Sequence, residues 1–173
     1  ANTRLMARLI DDLLAFSRSG LQEMRKTAID MGALAQDAFR ELIRWLPERT
    51  VHFTLAETPP AVGDPSLMKQ VWHNLLANAL KFTRPREEAV IEVGGRAEGS
   101  RHIYYVKDNG VGFEMHEADK LFGVFCRSHR DSEYEGTGLG LAIVKSIIER
   151  HGGRVWAEGR VGEGATFYFS LPA

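Results

Sequence analysis

The stretch that decides the fold opens with Lys107-Asp108-Asn109-Gly110-Val111-Gly112-Phe113 and closes with Glu135-Gly136-Thr137-Gly138-Leu139-Gly140. The β-branched and aromatic run Ile103-Tyr104-Tyr105-Val106 precedes the first glycine cluster and predicts a strand that ends at an acidic residue. The second cluster leads into Leu141 to Arg150, whose apolar residues recur at helical spacing and predict a helix. A glycine-rich turn at a helix N-terminus presents backbone N–H groups to a phosphate. The spacing fits neither the P-loop nor the dinucleotide-binding pattern, so a different kind of phosphate site is predicted.

Composition limits the classes of protein that this chain can be. With 173 residues, 44% of them hydrophobic, the chain can form one domain with a substantial core, or one domain plus a helical appendage. The net charge of -1 gives no reason to expect nucleic acid or an anionic membrane as a partner. The single cysteine, Cys126, excludes an internal disulfide and fits a reducing cytoplasm. No apolar run approaches the roughly 20 residues of a membrane span, and no signal peptide opens the chain.

The N-terminal residues predict an amphipathic helix that ends at Ser19-Gly20. Its apolar stripe repeats at spacings of four, four and three, and consists of Leu5, Leu9, Leu13 and Phe16. Such a helix needs an apolar partner, and a partner in a helical bundle or in another chain is favoured over folding back onto its own domain. Because Ala1 already lies within this helical pattern, we expect the sequence to be a segment of a longer protein.

The remaining chain alternates irregularly between predicted helices and strands. The predicted strands cover residues 25–29, 51–55, 89–96, 101–106, 155–158 and 165–171, and the predicted helices cover 31–46, 65–82, 115–121 and 141–150. The polar segment from Cys126 to Glu135 lacks periodicity and lies between two glycine clusters, which is typical of a lid. Without regular strand–helix–strand repetition, this order predicts an α+β, two-layer sandwich of a mixed sheet and helices, preceded by the N-terminal helix.

The helix predicted from Pro65 to Phe82 carries an unusual polar face. Asn74, Asn78 and Lys81 are separated by four and three residues and therefore share one side of the helix. Amide oxygens can ligate a hard cation such as Mg²⁺, and a lysine can contact a phosphate as a point charge. A solvated polar face is the alternative, but the two glycine clusters favour a nucleotide site.

Together these motifs resemble the ATP-binding catalytic domain of sensor histidine kinases, a member of the GHKL superfamily that also includes type II topoisomerases and mismatch-repair ATPases. Four motifs carry the resemblance: the N-box His73–Thr83, the first glycine box Asp108–Phe113, the F-box Lys120–Phe125 and the second glycine box Gly136–Leu141. The resemblance implies the GHKL, or Bergerat-type, ATP-binding fold over residues 30–173, with a linker and first strand over 21–29. The segment Arg127 to Gly138 is similar to the lid of phytochrome-type kinases.

The resemblance also implies a role for individual residues toward ATP and Mg²⁺. Asp108 would accept a hydrogen bond from the exocyclic amine of adenine, with Gly110, Gly112 and Phe113 beside the base. Asn78 would ligate Mg²⁺, with Asn74 as a second candidate. Backbone N–H groups of the second glycine box would bind the triphosphate, and these belong to Gly136, Thr137, Gly138, Leu139 and Gly140. Thr166 is similar to a threonine behind the adenine, with an ordinary strand hydroxyl as the alternative.

Three residues are implied to act in catalysis, namely Asn74, Lys81 and Arg127. Lys81 would reach a phosphate, and Arg127 is similar to an arginine that contacts the γ-phosphate, where charge develops during transfer. The hydrolysing relatives have a glutamate that activates water at the position of Asn74. An amide offers no base, so the resemblance favours a kinase over an ATPase.

The resemblance further implies the reaction and its partners. Residues 1–20 are similar to the second helix of the dimerisation and phosphoacceptor hairpin, whose acceptor histidine lies on a first helix that this sequence does not contain. We therefore expect a cytoplasmic histidine kinase, homodimeric in full length, that phosphorylates a hairpin of the same or a partner chain and then a response-regulator receiver domain. The alternatives are a GHKL ATPase, a serine kinase of the anti-sigma type and a non-catalytic docking module. His116 also precedes a glutamate, but it lies between two motifs and is predicted to be a surface residue.

Overall fold

The computed structural model describes residues 23–125 and 137–173, together with Ile10, Leu13, Leu14 and Ser17. The predicted helix from Leu5 to Phe16 and the predicted lid therefore lie largely outside the described residues. The strands are β1 (Thr27–Ile29), β2 (Val51–Leu55), β3 (Ala61–Gly63), β4 (Ala89–Glu98), β5 (Arg101–Asp108), β6 (Arg154–Arg160) and β7 (Gly164–Pro172). Ile10, Leu13, Leu14 and Ser17 are also helical. The other helices are α1 (Met31–Ile43), α2 (Pro65–Phe82) and α3 (Gly140–Arg150), and Met115–Lys120 forms a 3₁₀ helix.

Five strands form one mixed sheet in the order β2-β4-β5-β7-β6. Strand β2 runs parallel to β4, and the other neighbours are antiparallel. Strands β1 and β3 pair separately as a short antiparallel ribbon. The helices cover one face of the five-stranded sheet, which confirms the predicted two-layer α+β architecture.

The core lies between α2 and the centre of this sheet. Trp72 of α2 is fully buried, and its ring makes edge contacts with Tyr104 and Phe169 at centroid distances of 6.2 and 5.1 Å. Tyr104 and Phe169 stack on each other across β5 and β7. This packing fixes α2 over the sheet and thereby orients the polar face of the helix. Within the described parts of the chain, no helix is long and apolar enough to span a membrane.

The structure corrects several of the predicted elements, and α1 ends at Ile43 although the pattern predicted a helix to residue 46. Strand β3 was not predicted, because its three residues directly follow Pro59-Pro60 and are too few to show an alternating pattern. The helix predicted over 115–121 is a 3₁₀ helix. Strand β5 extends past the predicted range 101–106 and ends at an acidic residue, as the run before the first glycine cluster predicted, because Asp108 pairs with both Ile91 and Ala165.

A buried carboxylate begins α2. Asp64 is 5% exposed, and its Oδ1 accepts hydrogen bonds from the N–H groups of Ser66 and Leu67 at 3.0 and 3.2 Å. Its Oδ2 accepts one from the N–H of Arg25 at 2.9 Å. Burial alone would raise the pKa of Asp64, but the hydrogen bonds from Ser66 and the backbone outweigh burial and lower this pKa to about 2.

His151 joins the start of α2 to the end of α3. Its Nδ1 lies 2.7 Å from the carbonyl oxygen of Ile147, and its Nε2 accepts the N–H of Asp64 at 3.1 Å. Accepting at Nε2 requires the neutral ring, and burial correspondingly lowers the pKa of His151.

We expect Asp64→Ala to lower the free energy of unfolding by about 2 kcal/mol at neutral pH. A carboxylate whose pKa is lowered on folding stabilises the protein at pH values above its unfolded pKa. The wild-type advantage, which is the excess of its unfolding free energy over that of Asp64→Ala, should therefore shrink as the pH falls from about 4 to 2. Urea unfolding followed by circular dichroism at several pH values measures this. Asp30→Ala is the matched control, because Asp30 caps α1 from an exposed position with one bond to the Ala33 N–H. A wild-type advantage that does not depend on pH would contradict the role of the Asp64 charge.

Candidate functional site

The polar face of α2 meets the start of α3. Asn74, Asn78 and Lys81 are all half-buried, as expected for side chains that border a site. A Cβ atom added to Gly140 would lie 3.4 Å from Oδ1 of Asn74, so the amide of Asn74 directly neighbours the first residue of α3. The structure thus brings the N-box helix and the second glycine box together.

The start of α3 can accept an anion. Gly138 has a φ of +74°, a conformation that suits glycine, and Leu139 is fully buried at the N-cap position. No side chain among the described residues caps this helix, and its first turn contains no acidic residue. The first N–H groups of any helix lack acceptors within the helix, so here they are available to a phosphate.

Asp108 ends β5 and is the buried acidic residue of the first glycine box. It is 5% exposed, and its Oδ1 accepts the N–H of Gly110 at 2.8 Å. Burial raises the pKa of Asp108 to about 6, although backbone hydrogen bonds from Gly110 and Ala165 oppose this rise. A carboxyl group that is desolvated but held by backbone donors is a well-placed acceptor for a ligand amine.

The glycines of the first glycine box are required by packing within the protein. A Cβ at Gly110 would lie 2.6 Å from the carbonyl oxygen of Phe82, the last residue of α2. Gly112 has a φ of +64°, and a Cβ there would lie 1.9 Å from the carbonyl oxygen of Arg160. These close approaches join the glycine box to α2 on one side and to β6 on the other. The resemblance implied that these glycines allow the backbone to approach the base. Packing within the protein is a second, steric reason for glycine at both positions.

The structure separates Phe113 from Thr166. Phe113 is buried on the helix side of the sheet, with its ring centroid 6.0 Å from that of Phe167. Thr166 pairs with Lys107 and Glu158, one position along β7 from the Ala165 partner of Asp108. Because successive side chains of a strand point to opposite faces, Thr166 lies on the other face of the sheet from Asp108. This location argues against the predicted place of Thr166 behind adenine.

The remaining predicted site residues are Lys81, Thr137, Arg127 and Gly136, of which the structure describes the first two. The Nζ of Lys81 lies 4.4 Å from the ring centroid of Phe82, at the end of α2 nearest Gly110. Thr137 is described and half-buried, next to the start of α3. Arg127 and Gly136 lie outside the described residues. In the part of the chain that the structure describes, no cluster of three or more His, Cys, Asp or Glu side chains could hold a metal ion.

Two residues that the sequence did not single out organise the first glycine box. The side chain of Asn109 accepts the N–H of Val90 at 2.9 Å and donates to the carbonyl oxygen of Glu88 at 3.1 Å. Arg86 donates to the carbonyl oxygens of Asn109 and Gly110 at 2.7 and 3.1 Å. The sequence showed Arg86 only as part of a polar loop, because just the folded chain brings these carbonyl groups to it.

Asp108 also predicts a pH dependence of stability. Because folding raises the pKa of this group, its contribution favours the folded state below about pH 4 and is lost as the pH rises through about 6. Without nucleotide, the unfolding free energy of the wild type relative to Asp108→Asn should fall by roughly 2 kcal/mol between pH 4 and 7. Urea unfolding of both proteins across this range measures the difference. A difference that stays constant would contradict the assignment of a buried, raised-pKa carboxyl group.

Comparison with known families identifies the family to which this fold belongs. A family model described as histidine kinase-, DNA gyrase B- and HSP90-like ATPase matches residues 63–173, more than half of the chain. The chain belongs to this ATPase family. The matched range of the ATPase family contains both glycine boxes, the polar face of α2 and every other predicted site residue from Asn74 to Thr166.

Individual relatives include a phytochrome and a histidine kinase. Cyanobacterial phytochrome A of Nostoc sp. is 38% identical over 168 residues, which are 97% of this chain and 22% of the phytochrome. The methanogenesis regulatory histidine kinase FilI of Methanothrix harundinacea is 38% identical over 168 residues, which are 96% of this chain and 19% of FilI. The chain therefore spans about a fifth of the length of these relatives.

A solved structure agrees with the fold of this ATPase-family chain. Full-length ShkA, in complex with AMPPNP, is 28% identical and superposes with a TM-score of 0.80. The match covers 95% of this chain and 35% of ShkA. The resemblance to histidine kinases, including the phytochrome type, that the motifs predicted is thus confirmed by the family match and these relatives.

Proposed function

We propose that this chain contains the ATP-binding kinase domain of a two-component sensor histidine kinase. The domain transfers the γ-phosphoryl group of Mg·ATP to a histidine of a hairpin, from which it passes to an aspartate of a response regulator. The nearness of the Asn74 amide to Gly140 carries the proposal, because it sets an amide beside the helix N-terminus that would bind phosphate. An amide cannot activate water as a carboxylate does, so bound ATP is preserved for transfer to another acceptor.

The adenine end of the proposed site is built on Asp108. The exocyclic amine of adenine donates a hydrogen bond, and a buried carboxyl group that ends a strand offers an acceptor for it. Adenine is thereby distinguished from guanine, whose corresponding ring position carries a carbonyl oxygen that cannot donate. A relative that was crystallised with AMPPNP, an ATP analogue, supports ATP as the nucleotide.

The phosphate end of the proposed site combines backbone and side-chain groups. The N–H groups at the start of α3 bind the triphosphate, and Lys81 and Arg127 contribute positive charge. Amide oxygen is a ligand that Mg²⁺ accepts, and Mg²⁺ usually keeps phosphate and water oxygens as its other ligands. Asn78, beside Asn74 on α2, therefore fits the ion as one oxygen ligand. When bound, Mg²⁺ neutralises the charge of the β- and γ-phosphates.

We also propose that residues 1–20 form the second helix of a dimerisation and phosphoacceptor hairpin, joined through residues 21–29 to a catalytic domain over 30–173. Ile10, Leu13 and Leu14 are helical, and each is about half exposed, at 58, 51 and 46%. Exposed apolar side chains on one helix favour a helical partner, such as the other helix of a hairpin in a cytoplasmic homodimer. FilI, a relative named as a regulatory histidine kinase, supports a response regulator as the final acceptor.

A transfer assay tests the kinase proposal. The chain is incubated with γ-labelled ATP, Mg²⁺ and a separately produced hairpin that carries the acceptor histidine, and the label is followed on protein and in free phosphate. The proposal predicts acid-labile label on the hairpin and none on a hairpin with that histidine replaced by alanine. Rapid release of free phosphate by the chain alone would instead support an ATPase. Binding without transfer or release would support a docking module.

Asn78→Ala tests the metal ligand. We expect this variant to lose about tenfold in affinity for AMPPNP with Mg²⁺ present and to bind as the wild type does when the ion is chelated. Calorimetric titration with Mg²⁺ and with EDTA measures both. Asn109→Ala is a suitable comparison, because loss of the bonds of its amide to Val90 and Glu88 disturbs the glycine box and should weaken AMPPNP binding equally with and without Mg²⁺. An equal loss for Asn78→Ala in both conditions would contradict a metal role.

A further inference from the structure

We propose that Arg86 is a positioning residue, which fixes the first glycine box so that the Asp108 carboxyl group stays directed at adenine. This inference rests on the proposed function, because it assigns Arg86 a part in recognition of the nucleotide base. Arg86 lies in the loop between α2 and β4, outside the four sequence motifs.

The guanidinium of Arg86 binds three backbone carbonyl groups from two separate segments. Its Nε donates to Asn109 at 2.7 Å, and its Nη2 donates to Gly110 at 3.1 Å and also to Gly162. Arginine presents its donors in a rigid planar fork, so bonds to several carbonyl groups fix the positions of those groups relative to one another. A flexible ammonium group offers no such fork.

One of these carbonyl groups belongs to the peptide unit whose N–H binds the Asp108 side chain. The oxygen of Asn109 and the N–H of Gly110 are opposite ends of a single planar peptide bond. Arg86 binds the oxygen end, and the Asp108 carboxyl group accepts the N–H end at 2.8 Å. A cation at the carbonyl oxygen polarises the peptide and strengthens its N–H as a donor. Arg86 therefore acts on Asp108 through this peptide.

The third carbonyl group links the glycine box to a neighbouring turn. Gly162 lies in the turn between β6 and β7, and its N–H donates to the carbonyl oxygen of Val111 at 2.8 Å. Arg86 binds the carbonyl oxygen of the same Gly162. The turn and the glycine box are thus tied together from both sides, which restricts the rotation of the peptide that Asp108 contacts.

Arg84 provides a matched control. It lies two residues earlier in the same loop and is exposed, whereas Arg86 is half-buried. Arg84→Ala removes the same positive charge near the site without removing a bond to the glycine box. Comparison of Arg86→Ala with Arg84→Ala therefore separates positioning from a general attraction for the phosphates.

Calorimetric titration of the wild type and variants with AMPPNP and with GMPPNP tests the inference. Arg86→Ala should weaken AMPPNP binding by about tenfold, the loss expected when one hydrogen bond to a charged group is misplaced. GMPPNP has a carbonyl oxygen at the ring position where adenine carries the amine that donates to Asp108. Its binding should therefore change by no more than about twofold. Arg86→Lys should restore part of the affinity for AMPPNP, and Arg84→Ala should behave as the wild type does.

The outcomes distinguish this inference from the proposed function. An equal loss for both analogues in Arg86→Ala, or no loss for AMPPNP, would overturn the positioning role while leaving the nucleotide site in place. A wild type without adenine-selective binding would overturn the proposed function and this inference with it. Should Arg86→Ala fail to fold, Arg86→Lys carries the test, since a partial loss of selectivity in that folded variant supports positioning and full wild-type selectivity contradicts it.

Discussion

Replacing Asp108 with alanine is expected to lower the affinity for AMPPNP by about a hundredfold or more while the domain stays folded. The carboxyl group is the buried acceptor that the adenine amine would use, and its loss leaves that donor without a partner. The fold should tolerate the change near neutral pH, because burial disfavours the carboxylate and raises its pKa to about 6. Removing the group relieves this penalty and offsets the lost bonds to Gly110 and Ala165.

Glu158→Ala is the matched control for Asp108→Ala. Glu158 pairs with Thr166, one position from the partner of Asp108, and therefore lies on the other face of the sheet. Calorimetric titration should show nearly wild-type affinity for Glu158→Ala, and circular dichroism should show both variants folded. A folded Asp108→Ala that binds AMPPNP with unchanged affinity would remove Asp108 from the site.

Gly112→Ala is expected to have the largest effect on stability and to lower the free energy of unfolding by about 3 kcal/mol or more. The added Cβ would lie 1.9 Å from the carbonyl oxygen of Arg160, which belongs to a paired strand and cannot move away. The residue also has a φ of +64°, which costs an alanine additional strain. Nucleotide binding should be lost together with the fold, because the turn that contains Gly112 follows Asp108 and packs against β6 at Arg160.

Gly99→Ala separates the two causes. Gly99 has a φ of +60° in the turn between β4 and β5, and a Cβ there would meet no atom within 4 Å. Its replacement should therefore cost only about 1 kcal/mol, the strain of the left-handed conformation by itself. Urea unfolding of both variants measures the difference. Similar losses at the two glycines would show that the contact with Arg160 does not constrain Gly112.

Local patterns predicted the elements that carry the site. The bounds of α2 were predicted correctly, because Asp64-Pro65 marks the start of the helix, apolar spacing marks its extent, and the pattern ends at Phe82. The two glycine clusters indicated a phosphate site at the start of α3 for the same local reason. The alternation of polar and apolar residues along β7 predicted that Thr166 and its apolar neighbours lie on opposite faces of the sheet. The pairing of β7 with β5 and β6 was needed to show that Asp108 lies on the face opposite to Thr166.

Contacts between residues far apart in the sequence could not be predicted. The bond from Asp64 to His151 joins residues 87 positions apart, and the bonds of Arg86 reach Asn109 and Gly162. Neither arginine nor histidine at those positions belongs to a repeating pattern, so only the folded chain reveals their partners. The steric need for Gly112 likewise depends on where β6 passes.

The most direct test of this account is a calorimetric titration of the chain with AMPPNP, with and without Mg²⁺, beside GMPPNP as control. The account predicts saturable binding of AMPPNP that is strengthened by Mg²⁺, together with much weaker binding of GMPPNP. Such a result would establish that Asp108, the polar face of α2 and the start of α3 form one adenine-nucleotide site. Absence of AMPPNP binding, or equal binding of both analogues, would contradict the account.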